Sequence, residues 1–72
     1  MHSKPKLIQG ERGMLTVRNI ENGTLVNVYN ANGTLVGSSI SQNGQSTIDT
    51  NLQPGSVAIV KIGEESVKVM LK

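Results

Sequence analysis

The side chains able to perform acid–base or nucleophilic chemistry are few and scattered in this sequence. The only histidine is His2, next to the first residue, where a positioned imidazole for general-base work is not expected. Seven serines have no His or Lys at a spacing typical of a nucleophile and its base. The absence of cysteine removes thiolate chemistry, disulfide bonds and Cys-based zinc sites. The sequence therefore predicts no catalytic residue, and we expect that the chain is not an enzyme.

The five carboxylates do not form a pattern typical of a metal or glycosidase site. Glu64 and Glu65 are neighbours in a predicted turn and are expected to be solvated, whereas a glycosidase holds two carboxylates about 5–10 Å apart in a cleft. A hard cation such as calcium needs six or more oxygen ligands, and no spaced acidic loop supplies them. The candidate oxygen donors are Asn30, Asn32, Asp49 and Asn51. We expect no metal and no cofactor.

The distribution of basic residues argues against nucleic acid as a partner. Seven Lys and Arg give a net charge of +2, but residues 19–60 contain none of them. Proteins that bind single strands interleave basic residues with stacking aromatics, and Tyr29 is the only aromatic residue here. No apolar run reaches 18 residues, so we also expect no membrane insertion.

Turn signals recur at regular intervals and divide the chain into short segments. Asn-Gly pairs begin at Asn22, Asn32 and Asn43, and further turns are predicted at residues 53–55 and 63–65. Asn-Gly tolerates the positive φ that two-residue hairpin turns require, so each pair is interpreted as such a turn. Turns at this spacing are typical of a meander, sandwich or barrel.

The segments between the turns alternate with a period of two, which is typical of strands that bury one face. We predict strands over residues 14–18, 24–30, 34–40, 45–50, 56–62 and 66–71 and no helix longer than one turn. Residues 1–12 are predicted to be a linker in which an edge strand over 6–9 is allowed, and residues 13–72 a β-sandwich domain. The expected inward side chains are Leu15, Val17, Val26, Val28, Ile48, Ala58, Val60, Ile62, Val67, Val69 and Leu71.

Two parts of the chain, residues 26–36 and residues 48–72, together resemble the C-terminal sorting domains of the type IX secretion system of Bacteroidetes. Residues 26–36, VNVYNANGTLV, are similar to the family's V-x-V/I-Y-N/D-x-x-G-x-x-V hairpin. Residues 48–72 are similar to its ending, I-D-L-x-x-L-x-x-G-x-Y-I-V-K-I followed by K-V-x-x-K. The resemblance covers residues 13–72. Ala58 stands where the family has an aromatic residue, and Lys4-Pro5-Lys6 replaces its usual Tyr-Pro-Asn-Pro opening.

The resemblance implies a small antiparallel Ig-like β-sandwich of about seven short strands at the C-terminal end of a larger secreted protein. It implies a non-catalytic sorting function, with the secretion machinery as partner. The implied location is the secreted fraction or the outer-membrane surface of a Gram-negative bacterium, reached through the periplasm. Recognition is assigned to the last strands, and the candidate residues are Val67, Lys68, Val69, Met70, Leu71 and Lys72.

Two alternatives remain open at this point. One is a structural or adhesive accessory sandwich that packs on a neighbouring domain of the parent protein, and it predicts an apolar outer patch near Leu25, Tyr29, Val57 and Ile59. The other is carbohydrate binding. Tyr29 is accordingly a candidate interface residue, or else a semi-buried aromatic that anchors its hairpin. Exposed lysines in the last strand also protect sheet edges from aggregation, which is the alternative role of Lys68 and Lys72.

Overall fold

Residues 6–72 are described by a computed structural model, and they form two antiparallel sheets without any helix. The three-stranded sheet has the order β1-β2-β5, and the four-stranded sheet has the order β4-β3-β6-β7. The strands are β1 (Leu7–Glu11), β2 (Met14–Arg18), β3 (Leu25–Asn30), β4 (Leu35–Ile40), β5 (Gln45–Asp49), β6 (Val57–Ile62) and β7 (Glu65–Met70). The predicted all-β fold is confirmed.

The six strands predicted from alternation are all present, with ends that differ by at most one residue. β1 corresponds to the edge strand allowed in the N-terminal segment, and it pairs with β2 from Leu7 opposite Arg18 to Glu11 opposite Met14. The period of two was sufficient to locate these strands because each strand turns only one face towards the other sheet.

The strand pairing is that of an immunoglobulin-like sandwich. In the constant-type immunoglobulin arrangement the first, second, fifth and fourth strands form one sheet, and the third, sixth and seventh form the other. Here β4 pairs with β3 instead of β5. The other pairs, β1 with β2, β2 with β5, β3 with β6 and β6 with β7, are the same as in that arrangement. The expected Ig-like sandwich of seven short strands is therefore confirmed, with its fourth strand in the second sheet.

The hydrophobic core lies between the two sheets, and its apolar part is aliphatic. Its buried members are Leu15, Val17, Ile20, Val26, Val28, Ile48, Ala58, Val60, Ile62 and Leu71. Ile20 was not predicted, because it lies in the connection after β2. Val67 and Val69 are half-buried rather than buried, since they belong to an edge strand that is covered from one side only.

Only one of the three Asn-Gly pairs forms the predicted two-residue turn. Asn43 and Gly44 have φ values of 55° and 78°, and positive φ at both central residues is the requirement of a type I′ turn. Gln42 and Gln45 exchange backbone hydrogen bonds of 2.8 and 3.1 Å around them.

The pair Asn32-Gly33 closes the β3–β4 hairpin through a loop that is one residue longer. The Asn30 N–H donates to the carbonyl oxygen of Thr34 at 2.9 Å, and the Gly33 N–H donates to that of Asn30 at 3.0 Å. Asn30 Oδ1 also accepts the N–H groups of Asn32 and Thr34 at 2.9 and 3.0 Å. A left-handed glycine in the last loop position, with φ of 85°, is typical of such three-residue loops.

The hairpin expected at Asn22-Gly23 is wrong, because this pair connects the two sheets. The Gly23 N–H donates to the Ser41 carbonyl at 3.0 Å, and the Gly44 N–H donates to Asn22 Oδ1 at 2.7 Å. The Asn22-Gly23 segment is therefore hydrogen-bonded to the β4–β5 connection, and β2 and β3 do not pair with each other.

The two remaining predicted turns are confirmed. In the turn of residues 53–56, the Ser56 N–H donates to the Gln53 carbonyl oxygen at 3.1 Å. Gly55, in the third position, has a φ of 87°, as in a type II turn. In residues 62–65 the first and last residues pair across β6 and β7, and Gly63 has a φ of 58°.

Two buried serines differ in hydrogen bonding. Ser41 is 2% exposed; its hydroxyl donates to the Glu21 carbonyl, and its Oγ accepts the Thr24 N–H at 2.9 Å. Ser46 is 3% exposed on the inward face of β5, opposite Val17. Its Oγ has no hydrogen-bond partner among the described residues.

We expect Ser46→Ala to raise the free energy of unfolding by about 1 kcal/mol, because it removes a buried hydroxyl that makes no hydrogen bond. Ser41→Ala is the matched control and should lower the free energy of unfolding by about 1–3 kcal/mol, because the part-buried Thr24 N–H loses its acceptor. Urea unfolding followed by circular dichroism measures both. A destabilised Ser46→Ala variant would contradict the expectation.

Candidate interaction surfaces

The carboxylates and amides that could supply metal ligands are spread over the described residues rather than grouped. Among residues 6–72 no three His, Cys, Asp or Glu side chains are grouped as metal ligands would be. Two of the candidate oxygen donors are engaged in turns, since Asp49 Oδ1 accepts the Asn51 N–H at 3.3 Å and Asn30 closes its own loop. His2 lies outside the described residues.

The backbone of β7 is hydrogen-bonded on one side only. The Leu71 N–H donates to the Ser56 carbonyl at 2.9 Å, and the Leu71 carbonyl accepts the Gly55 N–H at 2.8 Å, so the groups of Leu71 face the β6 side. Backbone groups alternate in direction along a strand that pairs with an antiparallel neighbour. The groups of Ser66, Lys68 and Met70 therefore face away from β6. In the part of the chain that the structure describes, no strand pairs with this side, which we call the open edge of β7.

The chain beyond β7 joins β1 in a short parallel contact. The Lys72 N–H donates to the Gly10 carbonyl at 3.0 Å, and the Lys72 carbonyl accepts the Arg12 N–H at 3.3 Å. One residue that bonds to two residues spaced two apart is the pattern of parallel pairing. A Cβ atom on Gly10 would lie 2.1 Å from Cδ2 of buried Leu71, so any larger residue there would force the Leu71 side chain to shift. We call Gly10, Arg12, Leu71 and Lys72 the clasp.

The other end of β7 is joined to the N-terminal segment by side chains. Lys6 Nζ lies 3.4 Å from Glu65 Oε2 in an exposed ion pair. Near the clasp, β1 and β7 leave a cleft of about 260 Å³, and Ile8, Gly10 and Met70 are among its lining residues. The cleft opens the Met70 end of this edge to solvent, and Ser66 and Lys68 are exposed residues further along it.

The six candidate recognition residues divide by their position on β7. Lys68 and Met70 point to the outer face and are exposed, Met70 by 71%. Val67 and Val69 point towards the other sheet and are half-buried. Of the two clasp residues, Leu71 is buried and Lys72 is exposed. Three of the six side chains are therefore free to contact a partner directly.

An apolar strip crosses the outer face of the four-stranded sheet. Leu35 pairs with Tyr29 and Tyr29 with Ile59, and Val57 pairs with Met70. Leu35 is 52% exposed, whereas Tyr29 and Ile59 are half-buried. Cross-strand pairs on one face lie close enough to contact each other. We call these five residues the apolar strip.

The rest of the outer face is polar and basic, apart from one exposed pair. Leu25 pairs with Ile40 at the far end, separated from the apolar strip by a row that contains Asn27, Ser38 and Lys61. Lys61 and Lys68 are its charged residues, and no carboxylate side chain belongs to it in strands β3, β4, β6 and β7. The four residues Leu25, Tyr29, Val57 and Ile59 that the accessory hypothesis singled out share this face.

The outer face of the three-stranded sheet is different in character. Its central row pairs Gln9 with Thr16 and Thr16 with Thr47. Its two exposed apolar residues, Leu7 and Met14, lie at opposite ends. The apolar surface of the sandwich is thus concentrated on one side, the side to which β7 belongs.

No family model matches the chain, and no curated protein or solved structure matches it either. Among residues 6–72 there is no helix with the length and apolar character needed to cross a membrane.

Proposed function

We propose that this chain is a non-catalytic recognition module that acts as the C-terminal sorting domain of a larger secreted or cell-surface protein. The observation that carries the proposal is the open edge of β7, with the unpaired backbone groups of Ser66, Lys68 and Met70. An open sheet edge binds an extended segment of another protein by adding it as a further strand. The proposed partner is the outer-membrane secretion machinery of a Gram-negative bacterium.

The sequence resemblance supports the sorting form of this function. It places recognition in the last strands, and these include the strand with the open edge. It also specifies the route, which passes through the periplasm to the cell surface. The proposal uses no catalytic residue, metal or cofactor.

A second candidate function is an accessory sandwich that packs on a neighbouring domain. The observation that favours it is the apolar strip, because exposed contiguous apolar surface is typical of protein contacts. Tyr29 lies at the centre of this strip, between Leu35 and Ile59. Carbohydrate binding would also use an exposed aromatic, but Tyr29 is half-buried between these neighbours.

The test compares two variants of residues 1–72 fused to a periplasmic reporter in a type IX-competent host. Lys68→Pro removes an N–H that faces away from β6, and proline is tolerated at such edge positions. We expect export to fall roughly tenfold, because one lost backbone hydrogen bond and the added ring together cost about 1.4 kcal/mol in binding. Urea unfolding of the isolated variant confirms that it is folded.

Tyr29→Ser is the matched control on the apolar strip, and it should leave export unchanged. Retention of the unmodified fusion in the periplasm would contradict the sorting function. If Tyr29→Ser abolishes export and Lys68→Pro does not, the recognised surface is the apolar strip and the second candidate is favoured.

A further inference from the structure

We infer that the open edge of β7 selects an extended segment with a carboxylate opposite Lys68 and apolar residues on both sides of that carboxylate. The inference rests on the proposed function, because it names the chemistry of the partner at the same edge. It follows from the length of the edge, the character of its inward side and the charge of its outward side.

The clasp limits how far a partner strand can extend. The backbone groups of Lys72 are already bonded to Gly10 and Arg12, so pairing with a partner ends at Met70. The other limit is Glu65, where β7 begins. Six residues at about 3.4 Å each leave an edge of roughly 20 Å. The partner segment is therefore short, and its pairing is centred near Lys68.

The inward side of the edge requires apolar residues from the partner. Val67 and Val69 point towards the other sheet and are half-buried, as is Ile8 on the neighbouring edge strand β1. A partner strand paired at Lys68 places its adjacent side chains on this inward side, because side chains alternate along a strand. Apolar side chains there would cover Val67 and Val69 and so remove apolar surface from water.

The outward side of the edge requires a negative charge. Lys68 points to the outer face, which carries no carboxylate in its four strands. The nearest carboxylate along the chain, Glu65, is paired with Lys6. Lys68 itself forms no ion pair within residues 6–72. An opposite charge directly across a strand pair stabilises the pair, and a like charge destabilises it.

The same lysine disfavours pairing with a second copy of the chain. Two β7 edges that pair antiparallel through the outward backbone groups of Ser66, Lys68 and Met70, centred on Lys68, bring Lys68 opposite Lys68 of the other copy. Like charges directly opposite are destabilising, and lysine on an edge strand commonly prevents such self-association. The edge is therefore suited to a different chain with an acidic residue at this position.

The experiment uses the full chain with a test strand attached after Lys72 through a flexible Gly/Ser linker. The strand is Leu-Val-X-Val-Thr, where X is Glu or Lys and is placed opposite Lys68. Tethering raises the effective concentration to the millimolar range, so a weak strand still pairs. The readout is amide hydrogen exchange by NMR at Ser66, Lys68 and Met70. We expect protection roughly two- to thirty-fold greater with Glu than with Lys, from the energies of opposite and like cross-strand charges.

Lys68→Glu is the matched control, and it should reverse the order of the two test strands. Equal protection by both strands would overturn the acidic preference, while the proposed function would stand. Absence of protection at all three amides, with Lys68→Pro still blocking export, would overturn strand addition but not the role of β7. Protection that grows with protein concentration would indicate self-pairing and would also overturn the inference.

Discussion

Leu71→Ala is expected to lower the free energy of unfolding by about 2–5 kcal/mol, the usual cost of such a truncation in a core. Leu71 is 2% exposed, and its side chain packs against the backbone of Gly10. Alanine at this position therefore leaves a cavity between the two sheets. A domain of this size has a total stability of roughly 4–11 kcal/mol. The variant should therefore unfold at much lower urea concentration, or be largely unfolded in water. Chemical unfolding followed by circular dichroism measures the effect.

The control is Met70→Ala in the adjacent position. Met70 is 71% exposed on the outer face, and exposed substitutions usually change stability by no more than about 0.5 kcal/mol. If Leu71→Ala lost no more stability than Met70→Ala, Leu71 would not be packed between the sheets and the clasp would not form. A stable Leu71→Ala variant would lead to the same conclusion.

Gly13→Ala is expected to cost about 2–3 kcal/mol, from two sources. Gly13 lies in the β1–β2 turn with a φ of 80°, and a left-handed conformation costs a residue with a Cβ about 1–2 kcal/mol. The added Cβ would also lie 3.1 Å from the carbonyl oxygen of Leu52, a backbone atom that cannot rotate away. The turn is further fixed because the Gly13 carbonyl accepts the N–H and the hydroxyl of Thr50 at 2.8 and 2.7 Å.

Gly55→Ala separates the two sources. Gly55 has a similar φ of 87°, but a Cβ there would meet no atom within 4 Å. Its loss should be limited to the conformational cost of about 1–2 kcal/mol. Equal losses from Gly13→Ala and Gly55→Ala in urea unfolding would exclude the Leu52 contact as a source of destabilisation.

Alternation gave the strands and the inward faces because it is a local property. In β2, for example, Leu15 and Val17 are fully buried whereas Met14 and Arg18 are exposed, as a half-buried strand requires. The same reasoning placed Val57 and Ile59 on the reverse face of β6. Only at β7 did burial differ, because exposure of an edge strand depends on which strands flank it.

The turns were predicted less well, because the residue types of a turn do not determine whether the two strands that it connects pair with each other. Asn22-Gly23 and Asn32-Gly33 have the same local sequence, yet the first crosses between sheets and the second closes a hairpin. The Arg12-Gly13 turn, with φ values of 54° and 80°, has no Asn or Asp in its first position. Arginine in the first position is not typical of a two-residue hairpin turn, so the sequence did not predict the turn at Arg12-Gly13.

The candidate surfaces were only partly accessible to sequence reasoning. The resemblance pointed to residues 67–72, but it did not distinguish the exposed Lys68 from the buried Leu71. The clasp could not be predicted, because it joins Gly10 to Lys72 across most of the chain, and no local pattern records such a contact. The apolar strip depends in the same way on the order of strands in the sheet.

The clasp also determines how the sandwich responds to tension. Its two hydrogen bonds join β1 and the end of β7 side by side and in the same direction. A force that draws residue 6 and residue 72 apart therefore acts along both strands in shear, and the two bonds must break together. Forced unfolding is governed by the rate of barrier crossing rather than by equilibrium stability. This geometry would let a small domain resist a force that pulls its first and last strands apart.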